Sequence, residues 1–264
     1  MTDLQIIGGG QMGQALVGGL IASGWVGDGT ITIVEVAEAQ RTVLAGRFPA
    51  ANIVAEPIAN ADTLIAVKPH FVAEVCSALP TPTRVMSIAA GITIAAIEAC
   101  VPAGTPVIRA MPNTPALLGQ GAAGLAGGTA ASGADLAWAQ GVLRSVGKAE
   151  IVTEAQLDAV TGLSGSGPAY VYLIAEALVD GAVTAGLPRD TAKILAHQTL
   201  LGAATMLVET GRQRASFEPP SRHPPERPPR ASVSLELGGV RASIIDAVVA
   251  ATARANELGK ADAQ

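Results

Sequence analysis

Leu4-Gln5-Ile6-Ile7-Gly8-Gly9-Gly10-Gln11-Met12-Gly13 is a short apolar run that breaks into glycines. Its last six residues fit G-x-G-x-x-G. The spacing predicts a buried strand over Leu4–Gly8 and a helix over Gln11–Ser23, with Met12, Leu16, Leu20 and Ile21 at helical intervals and Gly24 as its stop. In that setting Gly8, Gly10 and Gly13 permit a tight turn, and backbone N–H groups around Gln11 and Met12 can approach a pyrophosphate at the positive end of a helix dipole. Glu35 ends the next strand-like run, Ile31–Val36, about 20 residues further on, where a carboxylate accepts hydrogen bonds from a ribose 2′-OH and repels a 2′-phosphate. The expectation is a dinucleotide site with a lean towards NADH.

Further strand-like runs lie at Thr63–Val67, Arg84–Ala89 and Thr105–Ala110, separated by helical stretches. Strands alternating with helices argue for βαβ units and a mostly parallel sheet. After about residue 150 the pattern turns helical. Thr153-Glu154-Ala155-Gln156 resembles a capping box, Pro168 suits the first turn of a helix that runs to Gly186, and Pro188 and Gly211 bracket another. A last helix, about Gly239 to Leu258, gathers Val240, Ile244, Ile245, Val248 and Val249 on one face. The predicted fold class is α/β: an N-terminal Rossmann-like dinucleotide-binding domain over 1–150, then an all-helical domain over 151–264. Helical faces this apolar predict burial against a partner subunit.

The 264 residues are 49% hydrophobic, 15% charged and carry a net charge of −5, a composition that excludes a disordered chain and argues against general binding to nucleic acid or an anionic membrane. The longest apolar stretches are interrupted by Glu98 and Asp246, so no transmembrane helix is predicted. No basic segment precedes Leu4, and no signal peptide is expected. Cys76 and Cys100 form no framework and read as core residues, which points to a reducing, cytoplasmic setting. His70, His197 and His223 are too scattered for a metal centre.

In open α/β sheets ligands bind where the strands end. Ala66-Val67-Lys68-Pro69, Ala89-Ala90-Gly91 and Arg109-Ala110-Met111-Pro112-Asn113-Thr114-Pro115 fall at such ends. Small residues and prolines there shape a floor for a flat ring. Lys68 is either a surface lysine or a cation beside the dinucleotide. Asn113 is either a turn former or a hydrogen-bonding partner of the nicotinamide amide.

Taken together, Ala66-Val67-Lys68-Pro69-His70, Ser87–Ile92, Arg109–Pro115, Asp158–Tyr170, Gly186-Leu187-Pro188 and Gly238–Ala242 resemble the pyrroline-5-carboxylate reductase family, over nearly the whole chain. The resemblance implies reduction of 1-pyrroline-5-carboxylate to L-proline, the last step of proline synthesis, with hydride from NAD(P)H. It implies a homo-oligomer built from interlocked dimers, and Ser164, Gly165 and Ser166 near the nicotinamide as catalytic residues. The cofactor-binding set is then Gly8, Gly10, Gln11, Met12, Gly13, Glu35, Ala66, Val67, Lys68, Pro69, Ala90 and Asn113. A protonated imine is already electrophilic, so the chemistry asks chiefly for two aligned rings and a neutralised carboxylate. Two other readings stand beside it: another small-substrate dehydrogenase such as a 3-hydroxyacid dehydrogenase, for which Lys193 is a poorly surrounded acid, and an NAD(P)-binding oligomer with impaired catalysis.

Two departures from the family pattern stand out. Asp62–Ala66 is one residue shorter than the expected strand, and a one-residue slip there would flip its faces. The family's Ser-Pro-Gly-Gly-Thr-Thr loop, which binds the substrate carboxylate, is absent. In its place, Arg212–Arg230 reads RQRASFEPPSRHPPERPPR, with six of the chain's 17 prolines and five arginines. Such a run cannot continue a helix. Codons built from the last base of one codon and the first two of the next permit Ser, Pro, a small residue, Gly, Thr and Thr from Arg222–His223 onward. The hypothesis is that 212–234 is the product of two compensating frameshifts, near 212–214 and 233–235, in the gene or its reading. Resequencing codons 205–240 is expected to restore the missing loop; a confirmed unbroken frame through these prolines sinks the hypothesis.

Overall fold

The computed structural model describes residues 4–24, 30–211 and 230–261. Among these, eight strands form one sheet: β1 (Leu4–Ile7), β2 (Ile31–Val34), β3 (Asn52–Val54), β4 (Asp62–Ile65), β5 (Arg84–Ser87), β6 (Val107–Met111), β7 (Gly121–Gly127) and β8 (Gly147–Ile151). They lie in the order β3-β2-β1-β4-β5-β6-β7-β8. Every neighbouring pair is parallel except β6–β7. The order reverses direction at β1, between β2 and β4, which is where a doubly wound sheet opens a ligand crevice.

The helices are α1 (Gln11–Ser23), α2 (Glu38–Arg47), α3 (Val72–Ser77), α4 (Ile94–Glu98), α5 (Gly133–Arg144), α6 (Leu157–Val160), α7 (Gly167–Thr184), α8 (Arg189–Thr210), α9 (Arg230–Leu237) and α10 (Val240–Ala261). Alternate sheet residues such as Ile6, Ile33, Leu64, Met86 and Ile108 meet Leu16, Leu20, Leu44, Val142 and Leu143 of α1, α2 and α5. The opposite face, with Ile7, Val34, Ile65, Val85 and Val107, meets Val72, Cys76, Ile97 and Leu157 of α3, α4 and α6. Each large aliphatic side chain so buried contributes about 1.5–3 kcal/mol. Burial, and then the nearby Cys100, push the Cys76 thiol up to about 12, as suits a core residue.

The five predicted strands are present within a residue or two, and α1 ends on Gly24 in the left-handed region, φ 62°. Three strands were not predicted. β7, GAAGLAG, has no β-branched or aromatic residue to announce it; its pairing with β6 and β8 imposes the extended form. β4 keeps full register with both neighbours, from Leu4↔Asp62 to Ile7↔Ile65 and from Asp62↔Arg84 to Ile65↔Ser87. The distortion expected from its shorter run is therefore not there: the side chains of all four residues are buried and the ladder leaves no room for a slip.

The chain divides into two compact units, residues 1–166 with 248–264, and residues 167–247. In the first, the end of α10 packs on the sheet-bearing body: a Cβ on Gly162 would sit 2.7 Å from the Val248 carbonyl oxygen, and Asn256 donates to Asp158 at 3.0 Å. The second unit holds the antiparallel α7 and α8, whose small core is Val179, Ala192 and Ala196. Leu173 (68% exposed), Ile194 and Val208 remain open to solvent. Pro188 and Gly211 flank α8 as predicted. Of the anomalous 212–234 stretch, 212–229 lies outside the described residues, and 230–234 begins α9.

One ion cluster ties three elements of the first unit. Arg84 reaches Asp62 at 2.9 Å and Asp135 at 3.0 Å, with its guanidinium 5.1 Å from the Trp138 ring centre. Burial alone would raise the Asp135 carboxyl, but bonds from the Ser132 hydroxyl and backbone and the charge of Arg84 hold it below the ordinary carboxylate range. A lowered folded value means that this stabilisation is complete above about pH 4 and is lost as pH falls through the folded value. Arg84→Met is expected to cost roughly 3 kcal/mol at neutral pH, by leaving two carboxylates without their shared cation. In urea unfolding that penalty should shrink below the ordinary carboxylate range; an unchanged penalty in acid contradicts the role given to Asp135.

Candidate active site at the carboxyl edge of the sheet

Gly8 follows β1 with φ +109°, and a Cβ there would lie 2.7 Å from the Ala66 carbonyl oxygen. A side chain on Gly13 would run into the Gly8 carbonyl. Both glycines are thus required by the chain's own close approach, β1 turning straight into α1. Gly10 is different. Its φ of −72° suits any residue, it is exposed, and a Cβ there meets nothing within 4 Å. Gly10 caps α1 with no side-chain hydrogen bond, and the first turn carries no acidic residue. The N–H groups around exposed Gln11 and half-buried Met12 therefore present an uncovered positive helix end. A cradle that only an approaching ligand would need to keep bare is what a pyrophosphate fits.

Glu35 is latched to this turn. One carboxylate oxygen accepts from Gly9 N–H at 3.1 Å and the other from Ala37 N–H at 3.0 Å. The Gly9 carbonyl accepts from the Gln14 and Gln40 side-chain amides at 2.7 and 3.1 Å. Arg41 donates to the carbonyls of Glu35 and Val36 at 2.9 and 2.7 Å, which braces the backbone that carries the carboxylate. The sequence reading missed Gln14, Gln40 and Arg41. Their contacts join elements whose approach only the folded chain reveals.

Half-buried Ala66 and Val67 follow β4 and back the glycine turn. Lys68 is exposed and starts the short turn Pro69–Phe71. Ala90, exposed, follows β5 ahead of Gly91 at φ +82°. These positions lie at the carboxyl ends of neighbouring parallel strands, as the sequence predicts.

The end of β6 works through alternate residues. Buried Arg109 pairs with Glu154 at 3.3 Å and Asp158 at 3.6 Å, while Glu154 also accepts the Ile94 N–H at 2.7 Å. The Met111 methyl lies 3.1 Å from where a Gly165 Cβ would be. Asn113 donates to the Ser164 carbonyl at 3.0 Å and accepts the Ala122 N–H at 2.8 Å. Thr153 and Gln156 form the predicted capping box, and Thr161–Gly165 is a π-helical turn, closed by Ser166 N–H on the Thr161 carbonyl at 2.9 Å. Such turns are frequent at functional sites. Ser164 Oγ donates to the Val160 carbonyl at 3.0 Å, so its oxygen is left as an acceptor. Asn113, 9% exposed, has its amide nitrogen and oxygen each engaged once by the chain, because the backbone groups of two neighbouring segments converge on it.

The two kinds of glycine separate in a binding experiment. Gly10→Ala is expected to leave the unfolding midpoint nearly unchanged and to weaken NADH binding about tenfold or more, by occupying ligand space. Gly13→Ala is expected to destabilise the fold by about 1–3 kcal/mol through overpacking. Fluorescence titration with NADH beside thermal unfolding checks both; undiminished affinity in Gly10→Ala removes the cradle argument.

Comparison with known proteins bears on the same segments. A family model described as pyrroline-5-carboxylate reductase dimerisation matches residues 154–258, and one described as NADP oxidoreductase coenzyme F420-dependent matches residues 3–91. The pyrroline-5-carboxylate reductase of Corynebacterium melassecola is 38% identical over 270 residues, covering 98% of this chain and 100% of that protein. Among solved structures, a pyrroline-5-carboxylate reductase from Coxiella burnetii has 34% identity and a TM-score of 0.90, covering 97% of this chain and 98% of that one. The pyrroline carboxylate reductase of Plasmodium falciparum, solved with NADP bound, has 25% identity and a TM-score of 0.77, with 98% of each chain covered. With the α/β fold, the glycine turn and the Asp158–Tyr170 run all in place, this chain belongs to the pyrroline-5-carboxylate reductase family.

Proposed function

We propose that the chain reduces 1-pyrroline-5-carboxylate to L-proline with NAD(P)H, the closing step of proline biosynthesis. The observation that carries this reading is the π-turn with Ser164, Gly165 and Ser166, held to the end of β6 on the carboxyl edge that also bears the bare glycine cradle. When bound, NAD(P)H supplies the hydride that turns a protonated imine carbon into an amine carbon. The chain's own work is positional. Gly8, Gly10, Gln11, Met12 and Gly13 receive the pyrophosphate; Ala66, Val67, Pro69 and Ala90 line the nucleotide's path, and Lys68 adds a cation. Ser164 Oγ, with its proton committed to Val160, accepts a hydrogen bond from a cationic N–H rather than donating one.

Functionally, residues 1–150 hold the dinucleotide, and 151–264 supply substrate and dimer contacts. The open apolar side chains of α7 and α8 and the dimerisation description support a homo-oligomer built from dimers. Two free cysteines support a reducing, cytoplasmic setting. A second reading draws on the Arg212–Arg230 run: if those residues are genuine, the chain binds NAD(P)H and reduces the imine poorly.

The decisive measurement is oxidation of reduced nicotinamide by the purified chain with 1-pyrroline-5-carboxylate, beside a 3-hydroxy acid tested in the oxidising direction. Turnover of the imine alone is expected. NADH binding without imine turnover overturns the reductase reading in favour of the impaired one. Glu35 should make NADH bind about tenfold more tightly than NADPH, and Glu35→Gln should narrow that gap; tighter NADPH binding refutes the role of Glu35.

A further inference from the structure

An α-helix satisfies each carbonyl with the N–H four residues on. For Ser164 that residue is Pro168, which has no N–H. The chain has already left α-geometry here, with the Ser166 N–H spanning five residues to the Thr161 carbonyl. The hydroxyls of Thr161 and Ser164 fold back on the Leu157 and Val160 carbonyls at 2.9 and 3.0 Å and do nothing for the Ser164 carbonyl. The Asn113 amide nitrogen does, at 3.0 Å, from a side chain whose oxygen is pinned to Ala122 N–H of β7.

We propose that Asn113 is a positioning residue of this site: its amide replaces the N–H that Pro168 lacks, and so holds the π-turn in the form that carries Ser164 and Ser166 at the carboxyl edge. Its catalytic consequence rests on the reductase reading; its structural half does not. Alternation along the end of β6 supports it. Arg109, Met111 and Asn113 share one side of an extended run and address Glu154 with Asp158, Gly165, and Ser164 in turn. Arg109 anchors the approach to the turn and Asn113 its far end. The task requires a donor and an acceptor on one short planar group, which asparagine has and aspartate lacks.

The test uses the full chain with Asn113→Asp, which is isosteric and keeps the acceptor for Ala122, and Asn113→Ala with and without Pro168→Ala. Backbone amide exchange of 157–166 is followed by mass spectrometry, together with the dissociation constant for NADH and kcat and KM with 1-pyrroline-5-carboxylate. Asn113→Asp is expected to speed exchange in the turn about tenfold, the worth of one lost buried hydrogen bond, and to lower kcat by a similar factor. Exchange in the sheet strands and affinity for NADH should stay within about twofold, the scatter of a distant substitution. Restoring an N–H with Pro168→Ala should slow exchange again in the Asn113→Ala background, and this pair decides the matter if Asn113→Asp does not fold. Unchanged exchange overturns the proposal. Weakened NADH binding with unchanged exchange overturns it too, by making Asn113 a cofactor contact. Faster exchange without loss of kcat in an active parent removes the positioning role. A parent that binds NADH and leaves the imine untouched fails the reductase reading alone, and exchange and rescue still decide Asn113.

Discussion

The closeness of α1 to the end of β1 is the constraint from which the first unit follows. With no side chain on Gly13, the Gly8 carbonyl can lie directly beneath the helix. That seating drives Leu16, Val17 and Leu20 into the sheet face and lets the Glu35 carboxylate reach Gly9. It also aims an uncapped helix end outward at the point where the strand order reverses. One steric condition thereby sets core packing, crevice and electrostatics together.

A second set of ties works at the other side of the crevice. β6 is followed by an antiparallel β7, so the chain doubles back and its backbone offers Ala122 N–H to Asn113. The same stretch presents Arg109 to Glu154 and Asp158, and Glu154 in turn reaches the first turn of α4. Buried charge and buried amide here are each tied to partners in other segments, which suits rigidity more than net stability. The π-turn is an over-determined element: ion pairs fix its approach, and an amide fixes its end.

The 167–247 unit follows a different logic. Its helices are long and well terminated, yet among the described residues little beyond Val179 and a few alanines is buried. A core of that size offsets only a fraction of the ordering cost of two helices of 18 and 22 residues. The open apolar side chains of these helices suit burial against a partner subunit, and a family model described as pyrroline-5-carboxylate reductase dimerisation matches this part of the chain.

What could be read in advance was local and periodic. The helical spacing of Leu16 and Leu20, the stops at Gly24 and Gly211, the capping box at Thr153 and the glycine spacing are written in neighbouring residues, and they carried the fold class; runs such as Arg109–Pro115 and Asp158–Tyr170 carried the family. β7 could not be read, because six small residues and one leucine acquire an extended form only between two partners. Nor could the return of α10 to the first unit, which depends on the absent side chain of Gly162. The meeting of Asn113 with Ser164 was equally hidden: they are 51 residues apart, and a proline's missing donor shows its consequence only when another segment arrives to replace it. Sequence alone determined which elements form and which chemistry they carry. Tertiary structure alone decided which polar groups satisfy one another, because such pairing depends on distances that no local pattern encodes.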